Sequence, residues 1–484
     1  MIKYVSTRGG ILPVNFDEAV LQGFACDGGL FVPESIPVVS QEKMEQWADL
    51  GYTDLAFELL HLYVDDSIIP AADLKRLIKQ SFSAFENQDI IPVVPFGQKG
   101  DTFIMELFHG PTLSFKDIAM GFLVNCIDYF LQNRNEHLSI ILATTGDTGP
   151  AAAYAAAGKK TIDCWPLYPA GMISEEQARQ MTTLNGDNIY PLSVENCADG
   201  GDDLDQVITK LFDNAELKKR LQLSSVNSIN WCRVMVQSVH YFYGYFRVVD
   251  KIGDKVTFSI PSGAFGNLFG GYLARSMGLP VEKFICANNK NAALHTAFSK
   301  GVFAKKDLLE TLSSAIDIVV PYNFWRFLYF VSGCNTLQLT SWMDEFFDKG
   351  TIKFDEKTFT DIREGFLSIS ISDKKTAETI YQTFNNGSDY LLDPHSAVAV
   401  AAVEELKEQL PTSGKVICLV TAHPAKFPDV MRKILRIDGA DLPEQAIHSS
   451  LVKASKVCQH LRTCDFKNIE FALVDAMTMV SNSK

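Results

Sequence analysis

Lys116 is the residue of this chain whose type and setting could do covalent chemistry. It lies in residues 106–117 (ELFHGPTLSFKD), between a Gly-Pro-punctuated extended stretch and a run with apolar residues at Ile118/Ala119, Phe122/Leu123, Cys126/Ile127 and Phe130/Leu131. That stepping predicts a helix with one buried face. A lysine in its first turn meets the positive end of the helix dipole, where a surface cation is disfavoured. Either the side chain snorkels beside a core helix or its amine has a task. Residues 144–149 (TTGDTG) follow an apolar run of strand length, 138–143, and precede Pro150 and an alanine-rich helix closed by Gly158. Pro at the first helical position and Gly past the last are the expected punctuation. Three threonines, an aspartate and two glycines in six residues exceed what an N-cap needs, and suit an anion at a helix start. Residues 261–267 (PSGAFGN) follow a second strand, 256–260. Their glycines let backbone N–H groups approach an oxyanion closely. Asn227, Ser228, Asn230 and Arg233 stand where a loop enters an aromatic-rich helix, and there they can be plain caps.

The elements that must position these residues read as α/β. A third strand, 284–287, leads into polar 288–291, and a fully apolar strand, 416–420, ends in 421–428 (TAHPAKFP). Residues 393–397 (DPHSA) begin a further alanine/valine helix. Four strands thus end in polar loops that lead to helices. Parallel α/β sheets gather ligands at such carboxyl ends. One phosphate-cradling loop and one special lysine are joined by a phosphate-bearing aldehyde cofactor that forms a Schiff base. Residues 1–93 read as a leading module, with turns at 8–10 and 27–29, a short strand at 30–32 stopped by Pro33, and helices across 41–86. Pro92 and Pro95 then mark a boundary. Residues 94–440 form the core of two α/β lobes. The smaller lobe contains a strand at 164–168, a helix at 175–184, an acidic stretch at 196–206 and a helix to Leu221. Residues 441–484 read as a helical extension.

Composition closes several alternatives. Of the 484 residues 47% are hydrophobic and 21% charged, which supports a large packed core. A net charge of −14 argues against general nucleic-acid binding. No run of about 18 apolar residues suggests a membrane span. The opening residues lack the apolar core of a signal peptide. The ten cysteines are scattered with no CxxC pair, which fits reduced thiols in a cytoplasmic protein. The acidic stretch lacks metal-loop spacing, so no metal is expected. Residues 155–161 (AAAGKKT) mimic the end of a Walker A loop, but Ala153 stands where its first glycine is required.

Over nearly its whole length the chain resembles the threonine synthases. The resemblance is carried by 27–33 (DGGLFVP), HGPTLSFKD, TGDTG, NSIN with Arg233, PSGAFGN and TAHPAKF. It implies the tryptophan-synthase-β-like fold of type II pyridoxal-phosphate enzymes: a parallel-sheet large domain, a smaller α/β domain and an N-terminal module. It implies that Lys116 carries pyridoxal 5'-phosphate as a Schiff base. The backbone of Gly263, Ala264, Phe265, Gly266 and Asn267 would grip the cofactor phosphate, Thr421 would face the ring nitrogen, and Asp147 would lie beside the ring. Thr144, Thr145 and Thr148 would be neighbouring substrate donors, with Ser114, Asn230, Arg233 and Lys426 for the substrate phosphate. The implied reaction turns O-phospho-L-homoserine and water into L-threonine and phosphate by γ-elimination and β-addition. The alternatives are a lyase using the same cofactor on another phosphorylated or acylated amino acid, and a non-catalytic binding protein. The partners expected are the small-molecule substrate, no nucleic acid and no membrane, in a monomer or small homo-oligomer. Two departures motivate the first alternative. The family loop usually reads SGNFGD where this chain has Ala264 and Asn267, and the threonine loop usually has a serine at position 145.

Overall fold

The computed structural model describes residues 2–97, 100–198, 200–385, 389–411, 414–437 and 441–482. Two sheets form its frame. The larger has six strands in the order Phe366–Ser370, Val281–Asn288, Val256–Pro261, Lys415–Val420, Thr102–Glu106, Val93–Phe96. All neighbours pair in parallel except the last pair, which is antiparallel. The smaller has five strands in the order Arg462–Asp465, Leu192–Glu195, Ile162–Pro169, Leu138–Ala143, Leu223–Ser224, all parallel. The four loop-bearing strands of the sequence reading are therefore split between two sheets, with 138–143 in the smaller.

Two long helices carry the chain between the sheets. Lys116–Arg134 leads from the larger sheet to the smaller, and Trp231–Val248 leads back. The first was expected to bury one face, but it is buried around most of its circumference, Asn125 included. The second face is covered by the leading module, whose Ser81 hydroxyl accepts from Asn125 Nδ2 at 2.9 Å. That module has a two-stranded sheet, Tyr4–Ser6 with Phe31–Pro33, and helices Phe16–Gln22, Gln41–Trp47, Tyr52–Leu60 and Ala71–Phe82. Its apolar residues share one continuous core with both long helices, the Tyr4 ring lying 6.1 Å from that of Trp231.

Three sequence expectations need correction. Pro95 does not end an element but sits in the edge strand Val93–Phe96, where a missing N–H costs no ladder bond on the outer side. The helix after TTGDTG begins at Thr148, so Pro150 is its third residue, still within the turn whose N–H groups have no partner. The C-terminal segment is not only helical. Its strand Arg462–Asp465 extends the smaller sheet, and Ile469, Leu473 and Met477 of the helix Ile469–Asn482 enter that lobe's core. The boundary expected at 440 lies outside the described residues, as does Asp199 of the acidic stretch. No helix among the described residues is long and apolar enough to cross a membrane.

Candidate active site

Lys116 is placed by a locked turn. Asp117, one residue into the helix, accepts from the Thr112 hydroxyl at 2.6 Å and the Thr112 N–H at 2.9 Å. Gly110 is needed beside it, because a Cβ there would fall 2.5 Å from the Asp117 side chain. Burial pushes Asp117 up to about 6, against the pull of the Thr112 bonds. Residues 113–115 then run alongside 421–423. Phe115 N donates to Thr421 O at 2.8 Å and His423 N to Leu113 O at 3.0 Å. These bonds set Lys116 next to Thr421 across the carboxyl ends of neighbouring parallel strands.

Lys116, Thr421 and Asp147 line one cavity with 261–268, Ser228, Arg233, Gln237, Ala315, Ile316 and His395. Lys116 Nζ lies 4.5 Å from the centroid of the Phe115 ring. Burial, and after it the charge of Arg233, lowers its amine to about 8. Across the cavity, the loop after Val256–Pro261 turns at Phe265 (φ +63°) into the helix Gly266–Ser276. The backbone N–H groups of 263–267 donate to no protein acceptor among the described residues. A row of free donors at a helix start is an anion site. The wall opposite is tight: a Cβ on Gly263 would lie 2.8 Å from Ile316 Cα.

The side chains around this row are also held for an anion. Arg233 is buried, donates to Val226 O at 2.8 Å, and its Nε has no partner among the described residues. Burial lowers it to about 10, so it stays charged at neutral pH. Asn267 Oδ1 lies 2.8 Å from His240 Nε2 and accepts from the Tyr241 hydroxyl at 3.0 Å, while its Nδ2 is unpartnered among the described residues. Burial drives His240 down to about 3 and keeps it neutral. Buried donors left open on one cavity, an amine that is half neutral near pH 8 and a hydroxyl beside it fit pyridoxal phosphate. The N–H row with Asn267 would hold its phosphate, Lys116 its aldehyde carbon and Thr421 its ring nitrogen.

Of the seven residues expected to meet substrate, only Arg233 lines this cavity. Asn230 is a helix cap instead. Its Oδ1 accepts from Cys232 N and its Nδ2 donates to Val20 O, tying the leading module down. Thr144 is a loop staple, its hydroxyl accepting from Gly146 N and Gly149 N. The methyl of Thr145 packs toward Gly201, where a Cβ would lie 2.9 Å away. The extra methyl of that departure is therefore accommodated at the start of the helix Gly201–Asp213. Thr148 opens its helix, and Ser114 is fully buried two residues before Lys116, its hydroxyl without a partner among the described residues. Lys426 is buried against Asp147 at 2.8 Å and donates to Thr112 O at 2.9 Å. Burial alone would raise Asp147, but Lys426, together with His395 and the Gln177 hydrogen bond, outweighs it and holds the carboxyl at about 2. Asp147 also accepts from Gln177 Nε2 at 3.0 Å.

Sequence reasoning missed Gln237, Ala315, Ile316 and His395, and it treated Ser228 only as a possible cap. His395 carried a usable signal in 393–396, an Asp-Pro-His-Ser start with more polar side chains than capping requires. Ala315 and Ile316 carried none.

Three family profiles match the chain: "Threonine synthase N terminus" at residues 3–82, "Pyridoxal-phosphate dependent enzyme" at 95–329 and "Threonine synthase, C-terminal" at 396–471. The threonine synthase of Saccharomyces cerevisiae is 37% identical, over 96% of this chain and 96% of its own. The crystal structure of the yeast threonine synthase superposes with a TM-score of 0.91 at 35% identity, covering 99% of both chains. A pyridoxal-phosphate-bound threonine synthase from Brucella melitensis gives 0.90 at 34%, covering 98% of this chain and 99% of its own.

Proposed function

The chain belongs to the threonine synthase family of pyridoxal-phosphate-dependent lyases, and from that premise we propose how its own residues turn O-phospho-L-homoserine and water into L-threonine and phosphate. When bound, the cofactor supplies an electron sink for charge that develops on the substrate carbons. The N–H row of 263–267 and Asn267 Nδ2 would hold its phosphate, and the Thr421 hydroxyl would meet its ring nitrogen. Lys116 would hold it covalently. With its amine free, the same side chain would serve as the base. A lysine with an ordinary affinity for protons would be almost wholly charged at neutral pH, whereas one near 8 is neutral in a useful fraction. Lys116 takes the α proton; a β proton is then lost and its electron pair expels phosphate from the γ carbon, after which Lys116 returns a proton to the γ carbon, water adds at the β carbon and the α carbon regains its proton. Arg233 receives the phosphate ester with the unpaired side of its guanidinium and steadies phosphate as it leaves. Asp147, kept ionised by Lys426, fixes the loop beside the reacting carbons. Apolar walls restrain water until it adds at the β carbon.

The reading rests on one observation. A lysine with a lowered proton affinity, a row of unpaired N–H groups and a buried arginine converge on a single cavity. The test is incubation with O-phospho-L-homoserine, following phosphate and threonine together. Equal release of both is expected. Lys116→Ala should fold and release neither. Inactivity toward this substrate, with turnover of another phosphorylated or acylated amino acid, would overturn the assignment. Scattered thiols, all ten free, support a reducing cytoplasmic setting as part of the same proposal.

A further inference from the structure

Residues 393–396 do more than start the helix Pro394–Glu405. Asp393 is completely buried and accepts four hydrogen bonds. Two are caps, from His395 N at 2.9 Å and Ser396 N at 3.3 Å. The others come from His395 Nδ1 at 2.8 Å and from the Ser396 hydroxyl. Each of those side chains reaches a different end of the cavity. His395 Nε2 accepts from Ala315 N at 3.0 Å, so the ring proton is on Nδ1. Ala315 leads into Ile316, the residue pressed against Gly263. The Ser396 hydroxyl, while donating to Asp393, accepts from Thr421 N at 2.9 Å. One carboxylate is thus wired to the wall over the phosphate cradle and to the residue that faces the ring nitrogen.

Both nitrogens of His395 are engaged, so it has none left for proton transfer, although it lines the cavity. Its part is to hold. We propose that Asp393 is a positioning residue that keeps the two ends of the cofactor slot in register, through His395 to Ala315–Ile316 and through Ser396 to Thr421. The proposal rests on the pyridoxal-phosphate reading of the cavity.

Asparagine separates this role from capping. It caps a helix as well as aspartate does, but His395 Nδ1–H and the Ser396 hydroxyl bond different oxygens of Asp393, and asparagine turns one of those oxygens into an NH2 donor. In cofactor-free protein, Asp393→Asn is expected to fold and to melt modestly below wild type, because a buried bond to a charged acceptor is lost. Its affinity for added pyridoxal phosphate should fall about tenfold or more, as loss of a buried bond to a charged group does. The absorption band of bound cofactor should shift, and kcat should fall while KM for O-phospho-L-homoserine changes little. Ser396→Ala should reproduce the band shift, and Ser396→Thr, which keeps the hydroxyl, should reverse it. Wild-type protein that retains cofactor is the control for the parent reading. Wild-type-like affinity and spectrum in Asp393→Asn would overturn the proposal. So would a Ser396→Ala spectrum that matches wild type, or a lowered melting temperature with cofactor binding unchanged.

Discussion

Lys116 and Arg233 line one cavity, and their proximity has a measurable sign. Burial and then the Arg233 charge both favour the neutral amine of Lys116, against a smaller opposing pull from Asp147. With a value near 8 in place of the ordinary ~10.5, about a tenth of the amine is neutral at pH 7, against roughly 3 in 10,000. Since only the neutral amine attacks an aldehyde, covalent capture of added pyridoxal phosphate by cofactor-free protein should quicken about tenfold per pH unit below 8 and level off above. Arg233→Met removes the neighbouring positive charge and should move the midpoint upward. Rapid-mixing absorbance measures both, and a wild-type rate still climbing beyond pH 9.5 would contradict the placement of Lys116. At this scale the sequence was informative where a residue type is rare at its position, as with Lys116 in a first helical turn. It was silent where a residue's job depends on a distant partner. Nothing near Asn230 tells that its amide is spent on Val20, 210 residues away.

Among elements, the strand–loop–helix unit around Gly263 makes the strongest demand on sequence. The atom a new Cβ would strike is Ile316 Cα, backbone that cannot rotate aside. Gly263→Ala should therefore cost about 1–3 kcal/mol by overpacking and weaken pyridoxal-phosphate binding. Gly51→Ala is the control. That residue caps the helix Tyr52–Leu60 at φ −67° with no atom near its would-be Cβ, so a change within about 0.5 kcal/mol is expected. Thermal melts of cofactor-free protein and cofactor titration read the pair; equal behaviour of the two variants would remove the tight wall. The strands that end in loops were legible because they are apolar runs bounded by glycine and proline. Arg462–Asp465 was not, since RTCD has no apolar alternation and becomes a strand only by pairing with Leu192–Glu195. The single-face reading of Lys116–Arg134 failed for a related reason: periodicity registers a polar Asn125 but not the module that covers it.

For the molecule as a whole, the C-terminal segment is structural. Ending the chain after His460 would remove Ile469, Leu473 and Met477 from the smaller lobe's core. At about 1.5–3 kcal/mol for each buried side chain, most of an ordinary domain's stability margin would go. The truncated protein should be insoluble or melt far below the full chain, and an unchanged melting curve would show the segment to be dispensable. The three-part division read from sequence found the leading module's helices but not its continuity with the core, because a shared interior leaves no mark on local composition. The two long helices carry a last consequence. Lys116 and Arg233 stand in the first turns of the very segments that join the sheets. Whatever occupies the cavity therefore grips the articulation of the molecule. By thermodynamic reciprocity, a ligand that favours one relative setting of the lobes is itself favoured by that setting. Substitutions far out in either lobe that bias this setting will register as altered cofactor affinity, with no change to any residue the cofactor touches.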